Sequence, residues 1–303
     1  MATQMIQICG REIRVEGRIV RVAHPHGDRY RFLEDPAPVI DGIRASELEV
    51  DLFTFSQRLP ESQPRFPYAF EWDNFAVLPV TTFEHWWTHD LGCKTRNMVR
   101  HAEKSGVVLC EVPFNDRLVA GIHQIYNECP VRQRRRFPHY GKAVQTVYRE
   151  EATFMEDSIF IAALFQDRLI GFAKLVQDET RTQAGLMNII SMLRHRDKAA
   201  QNALIAHAVR VCAERGIRHL VYSRFDYGKK ENDGLRAFKE RNGFRRIDMP
   251  KYYVPVTSLG RAALRLGWHK GISSYIPEVV ASRLRDLRAV WYERKYARLM
   301  GEA

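Results

Sequence analysis

The sequence predicts a mixed α/β protein. Three observations favour this class: amphipathic helical segments alternate with strand-like segments over residues 107–256, residues 158–176 have the pattern of a β-hairpin, and 45% of the residues are apolar. That apolar fraction is typical of packed globular proteins. A β-rich region before residue 107 and a helical tail after residue 256 complete the expected architecture.

The N-terminal region is predicted to be rich in β-strands. Strand-like segments at 12–22 and 29–33 flank a turn at Pro25-His26-Gly27-Asp28, and residues 48–55 alternate apolar with polar side chains. A further strand is expected at 75–80.

A basic helix follows this region. Thr81 or Thr82 can cap its N-terminus, and Gly106 is expected to end it. The cations of this helix are Lys94, Arg96, Arg100 and Lys104. They form either a solvated surface or an anion-binding face.

The central region contains the clearest periodicity. The predicted strands are 107–112, 158–165, 169–176, 185–193, 219–223 and 244–256, and the predicted helices are 116–127, 142–155, 197–215 and 233–242. A basic, aromatic loop at 132–140 joins the first two of these helices. Arg134 and Arg135 in this loop are candidate acceptor- or anion-binding residues, although an exposed linker is also commonly charged.

The formal net charge of +11 predicts an anionic partner, such as nucleotide phosphates, tRNA, an acidic carrier protein or a lipid surface, unless the basic surface is merely solvated. No run of about 18 apolar residues and no signal-peptide pattern occurs, so we expect a cytoplasmic protein. The five cysteines are scattered without metal-ligand spacing, which predicts buried packing and no metal site.

Three stretches carry a resemblance to a known family. They are Phe160-Ile161-Ala162-Ala163-Leu164-Phe165-Gln166-Asp167-Arg168-Leu169-Ile170-Gly171-Phe172, Phe238-Lys239-Glu240-Arg241-Asn242-Gly243-Phe244, and the basic helix from Lys94 to Val107. In this order they resemble the GNAT acyltransferase superfamily, and most closely its Fem-type branch of peptidyltransferases, which add amino acids to cell-wall precursors.

The resemblance implies a mostly antiparallel sheet flanked by helices, with the acyltransferase domain at 107–256. Residues 1–106 would form a β-rich region with the basic helix, or a degenerate GNAT-like half, and residues 257–303 a basic helical tail. On the tail, Val280, Leu284, Leu287 and Trp291 share one helical face. We expect this face to pack on the core rather than to contact a membrane or a carrier protein.

The resemblance also implies an N-acyltransferase without a metal, in which an amine attacks an acyl or aminoacyl donor directly. The donor would be acyl-coenzyme A, acyl-carrier protein or aminoacyl-tRNA, held where strands 185–193 and 219–223 separate. The candidate donor-binding residues are Ile190, Ser191, Met192, Leu193, Arg194, Arg196, Lys198 and Asn202.

The expected phosphate loop departs from the family pattern. Ala199 and Gln201 replace the small residues that let backbone N–H groups approach pyrophosphate closely. We therefore predict weak binding of free coenzyme A.

Lys239 stands where many GNAT enzymes have a tyrosine that protonates the leaving thiolate, and we expect it on a surface-facing helix turn. Tyr222 and Tyr227 are further catalytic candidates, although both residues equally suit the core or a loop.

Gly243 and Phe244 are expected to be structural.

Two other functions stay open on the sequence. A catalytically inactive GNAT-like binding module would explain the altered phosphate loop. A basic nucleic-acid-binding protein would explain the arginines at 132–136, although no established RNA- or DNA-binding motif accompanies them.

Overall fold

The computed structural model describes residues 4–227, 234–270 and 278–300. The chain forms two compact units. Unit one comprises residues 1–76, 224–227 and 246–276, and unit two comprises residues 77–223, 228–245 and 277–303. The sequence predicts boundaries at residues 106 and 256, whereas the first division between these units falls after residue 76 and the tail is divided after residue 276.

The elements are named in chain order. The strands are β1 (Gln4–Ile8), β2 (Arg11–Glu16), β3 (Val22–Pro25), β4 (Leu52–Ser56), β5 (Ala69–Pro79), β6 (Val108–Val112), β7 (Val131–Arg132), β8 (Arg135–Arg136), β9 (Ser158–Phe165), β10 (Arg168–Gln177), β11 (Gln183–Ser191), β12 (His219–Arg224) and β13 (Arg245–Pro255). The α-helices are α1 (Ala37–Ala45), α2 (Phe83–His85), α3 (Cys93–Lys104), α4 (Asp116–Asn127), α5 (Val144–Glu151), α6 (Ala200–Glu214), α7 (Gly234–Arg241), α8 (Ser258–Arg265) and α9 (Glu278–Met300).

Unit one is built on strands in the order β1, β2, β3, β4 and β13. These neighbours pair antiparallel except for β3 and β4, which are parallel. The core of the unit lies between these strands and α1, and it includes Ile13, Ile40, Ile43, Phe55 and Tyr252.

The sequence prediction was partly wrong in unit one. The strand expected at 12–22 ends at Glu16, because the chain turns at Gly17 with φ +110°, where an added Cβ would clash with the carbonyl oxygen of Val20. Residues 29–33 form turns and irregular structure rather than a strand. β1 and α1 were not predicted.

Unit two contains strands in the order β12, β11, β10, β9 and β6. All of these neighbours are antiparallel except β11 and β12, which are parallel. Helices α4 and α6 pack on the sheet, α5 on α4 and α3 on α6. The mixed, mostly antiparallel sheet flanked by helices is therefore confirmed.

The predicted helix after Thr82 is interrupted. The Thr82 hydroxyl accepts the N–H of His85, so the predicted cap is present. A π-helical turn, Trp86–Asp90, then separates α2 from α3, and Gly106 with φ +82° follows the end of α3. Predicted helix 197–215 begins only at Ala200, after a 3₁₀ segment. Asp233, the expected start of α7, lies outside the described residues.

The expectation for the tail face is wrong. Val280, Leu284, Leu287 and Trp291 on α9 are 47%, 54%, 69% and 54% exposed. Periodicity places these residues on one face of the helix, but it does not determine whether that face is covered. Across the described residues, no helix is both long and apolar enough to cross a membrane.

Candidate functional site

The central strands of unit two separate at one end. β11 and β12 pair in parallel from Gln183 with His219 to Gly185 with Val221. β11 continues to Ser191, and the described residues show no further ladder between the two strands. Such an opening leaves backbone N–H and C=O groups on the strand edges available to an extended chain.

A β-bulge lies where β11 leaves its neighbour. Lys174 of β10 pairs with Asn188, whereas the next residue, Leu175, pairs with Leu186. Met187 is therefore the extra residue on β11. Because a bulge bends its strand and increases the local twist, it accounts for the direction in which β11 leaves β12.

A buried polar cluster fixes the bulged part of β11. The Glu151 carboxylate accepts the Tyr126 hydroxyl at 2.7 Å and the side-chain amide of Asn188 at 3.0 Å. Lys174 Nζ donates to the carbonyl oxygens of Glu151 at 2.6 Å and Thr153 at 2.7 Å. Burial raises the pKa of Glu151 and lowers the pKa of Lys174 to about 8. This cluster is not predictable from the sequence, because its members are far apart in the chain and follow no motif.

The segment after β11 has a left-handed residue just before α6. Ala199, where the family pattern has glycine, adopts φ +53° immediately before α6 begins at Ala200. The left-handed region costs a residue with a Cβ about 1–2 kcal/mol relative to the usual helical region. Ala199 therefore adopts a backbone conformation that glycine would favour.

A carboxylate already occupies the first amides of this loop. Glu128, at the end of α4, accepts the backbone N–H of Leu193 at 2.6 Å and that of Arg194 at 2.9 Å. Its side chain is only 7% exposed and pairs with Arg132 at 3.0 Å. Glu128 was not singled out from the sequence, since a single acidic residue at a helix end gives no signal of a distant contact.

The backbone of the predicted donor-binding strand is partly engaged. The carbonyl oxygen of Ser191 accepts Nη1 of Arg132 at 2.8 Å, and the N–H of Met192 donates to Ile170 at 2.7 Å. The Met192 side chain is buried in the core, and Ile190 packs against that core. The side chains of these two residues therefore contribute to packing.

The three predicted donor-binding cations differ in their surroundings. Arg194 lies 4.0 Å from Glu128, and Lys198 pairs with Asp197 at 3.2 Å. Arg196 is exposed and makes no ion pair with the described part of the chain. Asn202 is half-buried on the first turn of α6.

Lys239 is fully buried, contrary to the expectation of a surface-facing helix turn. Its Nζ lies 4.8 Å from the centroid of the Tyr222 ring, and that ring lies 5.7 Å from the ring of Phe244. The two candidates Lys239 and Tyr222 are therefore neighbours at β12, which borders the opening. Tyr227 belongs to unit one and is 41% exposed.

The turn after α7 has the predicted form. Gly243 adopts φ +86°, and an added Cβ would lie 3.1 Å from Nε1 of Trp86. The same indole nitrogen donates to the carbonyl oxygen of Asn242 at 3.0 Å. Both the backbone angle and the close indole therefore favour glycine here.

The cations of α3 differ in their contacts: Arg96 binds backbone carbonyl groups, whereas Lys94 and Arg100 are exposed. Lys94 is exposed, whereas Nη1 of Arg96 donates to three carbonyl oxygens of the preceding turn, those of Trp87, Thr88 and Leu91. Arg96 therefore caps the π-helical turn rather than offering this nitrogen to an external anion. Arg100 is exposed, with its guanidinium 5.7 Å from the centroid of Trp87.

The Arg-rich loop forms a short hairpin, β7 and β8. Some of its arginines bind acidic side chains of this chain, and others are exposed. Arg134 pairs with Asp286 at 3.4 Å and Glu293 at 3.7 Å, both on α9. The Arg132 guanidinium donates a hydrogen bond to the Glu128 carboxylate. Arg135 is exposed. Because two of the cations have internal partners, less of this loop is available to a nucleic acid than its composition indicates.

Cys212 is buried and is a poor candidate for a nucleophile. Burial raises the pKa of the Cys212 thiol to about 12, so the nucleophilic thiolate is disfavoured. Within the described ranges, no group of His, Cys, Asp or Glu side chains has the arrangement of a metal site.

The fold is similar to that of several solved structures. FemX matches with a TM-score of 0.60 at 9% identity, covering 88% of this chain and 90% of that one. The C-terminal domain of a putative lysylphosphatidylglycerol synthetase from Agrobacterium fabrum matches with a TM-score of 0.59 at 13% identity, covering 87% and 86%. L-PGS from Bacillus licheniformis matches with a TM-score of 0.58 at 14% identity, covering 95% and 90%.

At the level of sequence, no protein-family model and no curated protein matches. The structural matches establish the fold. The chain shares the fold of FemX, as the resemblance of the three sequence stretches to the Fem-type branch predicted.

Proposed function

We propose that this protein is an N-acyltransferase that moves an acyl or aminoacyl group onto an amine by direct attack. The observation that carries the proposal is the separation of β11 from β12 beyond Gly185, with Lys239 buried against Tyr222 on the strand that borders the opening. The similar fold of FemX and of the two lysylphosphatidylglycerol synthetase structures supports a transferase.

In the proposed reaction the neutral amine forms a bond to the carbonyl carbon of the donor, and the bond from that carbon to the leaving sulfur or oxygen breaks. The amine loses a proton, and the leaving group gains one or is stabilised as an anion. In this proposal Lys239 donates a proton to the leaving group or stabilises its negative charge. Tyr222 holds the ammonium group over its ring face by a cation–π contact.

We further propose that the donor is presented by a larger carrier, such as tRNA or an acyl-carrier protein, rather than as free coenzyme A. Glu128 already accepts two amides at the start of the loop, and Gln201 stands where a small residue lets the backbone approach phosphate. A tRNA or a carrier protein would make further contacts with other parts of the protein surface. Its binding would therefore depend less on these amides than the binding of coenzyme A does.

An acylation assay tests this function. The full chain is incubated with a mixture of amines and, in separate arms, with acetyl-coenzyme A, acyl-carrier protein thioesters or a pool of aminoacyl-tRNA, and products are identified by mass spectrometry. Donor-dependent acylation in any arm supports the proposal. Binding of a donor without turnover in every arm would favour the inactive module, a reading that the occupied loop amides also support.

Free coenzyme A is expected to bind with a dissociation constant of about 100 μM or weaker. The expected reason is that Ala199 and Gln201 replace the small residues that let the backbone approach pyrophosphate, and that the preceding amides of Leu193 and Arg194 are already bonded to Glu128. Titration calorimetry of coenzyme A and acetyl-coenzyme A at moderate salt measures this. Low-micromolar affinity that is lost in the double variant Arg196→Ala, Lys198→Ala would show that the loop holds pyrophosphate, and acyl-coenzyme A would then become the proposed donor.

A further inference from the structure

Helix α9 carries an exposed apolar stripe formed by Val280, Leu284, Leu287 and Trp291. At about 100° per residue these four positions fall within roughly 60° of arc, so they form one continuous line along the helix. All four side chains are about half exposed or more. Such a stripe on a helix is more than the scattered apolar exposure of ordinary surfaces.

The opposite side of α9 packs on the hairpin of β7 and β8 within unit two. Ala289 lies about 180° from Val280 on the helical wheel and is only 3% exposed. Asp286 and Glu293, on the same side as Ala289, form ion pairs with Arg134, and α9 contacts β7 and β8. The stripe therefore points away from the hairpin that holds the helix.

Cations flank the stripe on both sides. Arg283 and Arg294 lie along one edge, and Arg288 and Lys295 along the other, by the same helical geometry. The three arginines are exposed and form no ion pair with the part of the chain that the structure describes. Lys295 Nζ lies 4.7 Å from the centroid of the Trp291 ring, beside the stripe. The helix thus presents the apolar stripe and the cations on one side, and Asp286 and Glu293 on the side that meets Arg134.

We propose that α9 is an interfacial helix that lies on an anionic lipid bilayer, with the stripe inserted among the acyl chains and the four flanking cations at the phosphate groups. An aromatic residue within the apolar face and cations along both edges are what such a surface binds. A second copy of this chain is a poorer occupant, because a two-fold contact through the stripe would bring the same four cations against one another. The proposal is independent of the proposed catalytic activity.

Vesicle co-sedimentation of the full chain tests this proposal. The wild type should bind vesicles of equal parts phosphatidylglycerol and phosphatidylcholine, and bind pure phosphatidylcholine much more weakly. Raising the salt to about 0.5 M should release most of the protein, because the Debye length falls below about 5 Å. The double variant Leu284→Gln, Leu287→Gln should lower partitioning about tenfold or more, since two inserted side chains become polar. Arg283→Gln, Arg294→Gln should reduce it as well.

The matched control is Leu259→Gln, Leu266→Gln, which changes two exposed leucines of α8 and its C-cap, 38% and 55% exposed, and leaves α9 unaltered. This control should bind as the wild type does. Equal binding by the α9 variant and the control, or failure of the wild type to bind anionic vesicles, would overturn the proposal. Analytical ultracentrifugation provides the second readout: a wild-type dimer that the α9 variant makes monomeric would instead assign the stripe to self-association.

Discussion

Replacing Lys239 by methionine is expected to lower the turnover of acyl transfer by about 100-fold or more while the chain stays folded. The ammonium group that would serve the leaving group is lost, whereas methionine nearly conserves the volume of a fully buried side chain. Exchanging a buried charged side chain for an apolar one of similar size is often neutral for stability. Steady-state kinetics at saturating donor, with thermal unfolding alongside, measures both effects.

Lys239→Ala is the less informative variant. Because Lys239 is fully buried, its truncation leaves a cavity and is expected to lower the free energy of unfolding by about 2–5 kcal/mol. The same truncation of a lysine on the surface would be nearly neutral. Tyr222→Phe is the matched control, since it keeps the ring below Nζ and removes only the hydroxyl. Wild-type turnover in Lys239→Met would remove Lys239 from the mechanism. A large loss in Tyr222→Phe would transfer the acid role to tyrosine.

Local periodicity predicted much of unit two. Asp116–Asn127 and Ser158–Phe165 form a helix and a strand with the predicted bounds, because each has a regular apolar pattern between clear end signals, such as Asn115, which caps α4. Ala199 illustrates what a family pattern adds. Its position was identified as that of a loop glycine, and the structure gives it a positive φ of 53°.

The contacts that define the candidate site were less predictable. Glu128 meets the loop at Leu193, and Lys239 meets Tyr222, only because distant elements pack together. The sequence predicts a surface position for Lys239, since lysine is seldom fully buried, yet its side chain is buried. The same limit applies to α9, where the pattern located the apolar face but not its exposure. Periodicity describes one element, whereas burial depends on the neighbours of that element.

Phe244→Ala is expected to lower the free energy of unfolding by about 3–5 kcal/mol. Phe244 is 2% exposed, its backbone N–H donates to the carbonyl oxygen of Lys239 at 3.1 Å, and its ring packs edge-on against Tyr222. The truncation therefore removes a large buried side chain at the junction of α7 and β12. Denaturant unfolding followed by circular dichroism measures the change.

Tyr148→Ala is the control for Phe244→Ala, because it removes an aromatic side chain that is 44% exposed and should cost about 1 kcal/mol or less. The effect of Phe244 should also reach the candidate site, since its ring supports Tyr222 and Tyr222 faces Lys239. Turnover at a temperature where the variant remains folded should therefore fall along with stability. Equal unfolding midpoints for Phe244→Ala and Tyr148→Ala would contradict the burial of Phe244 and the packing on which the position of Lys239 depends.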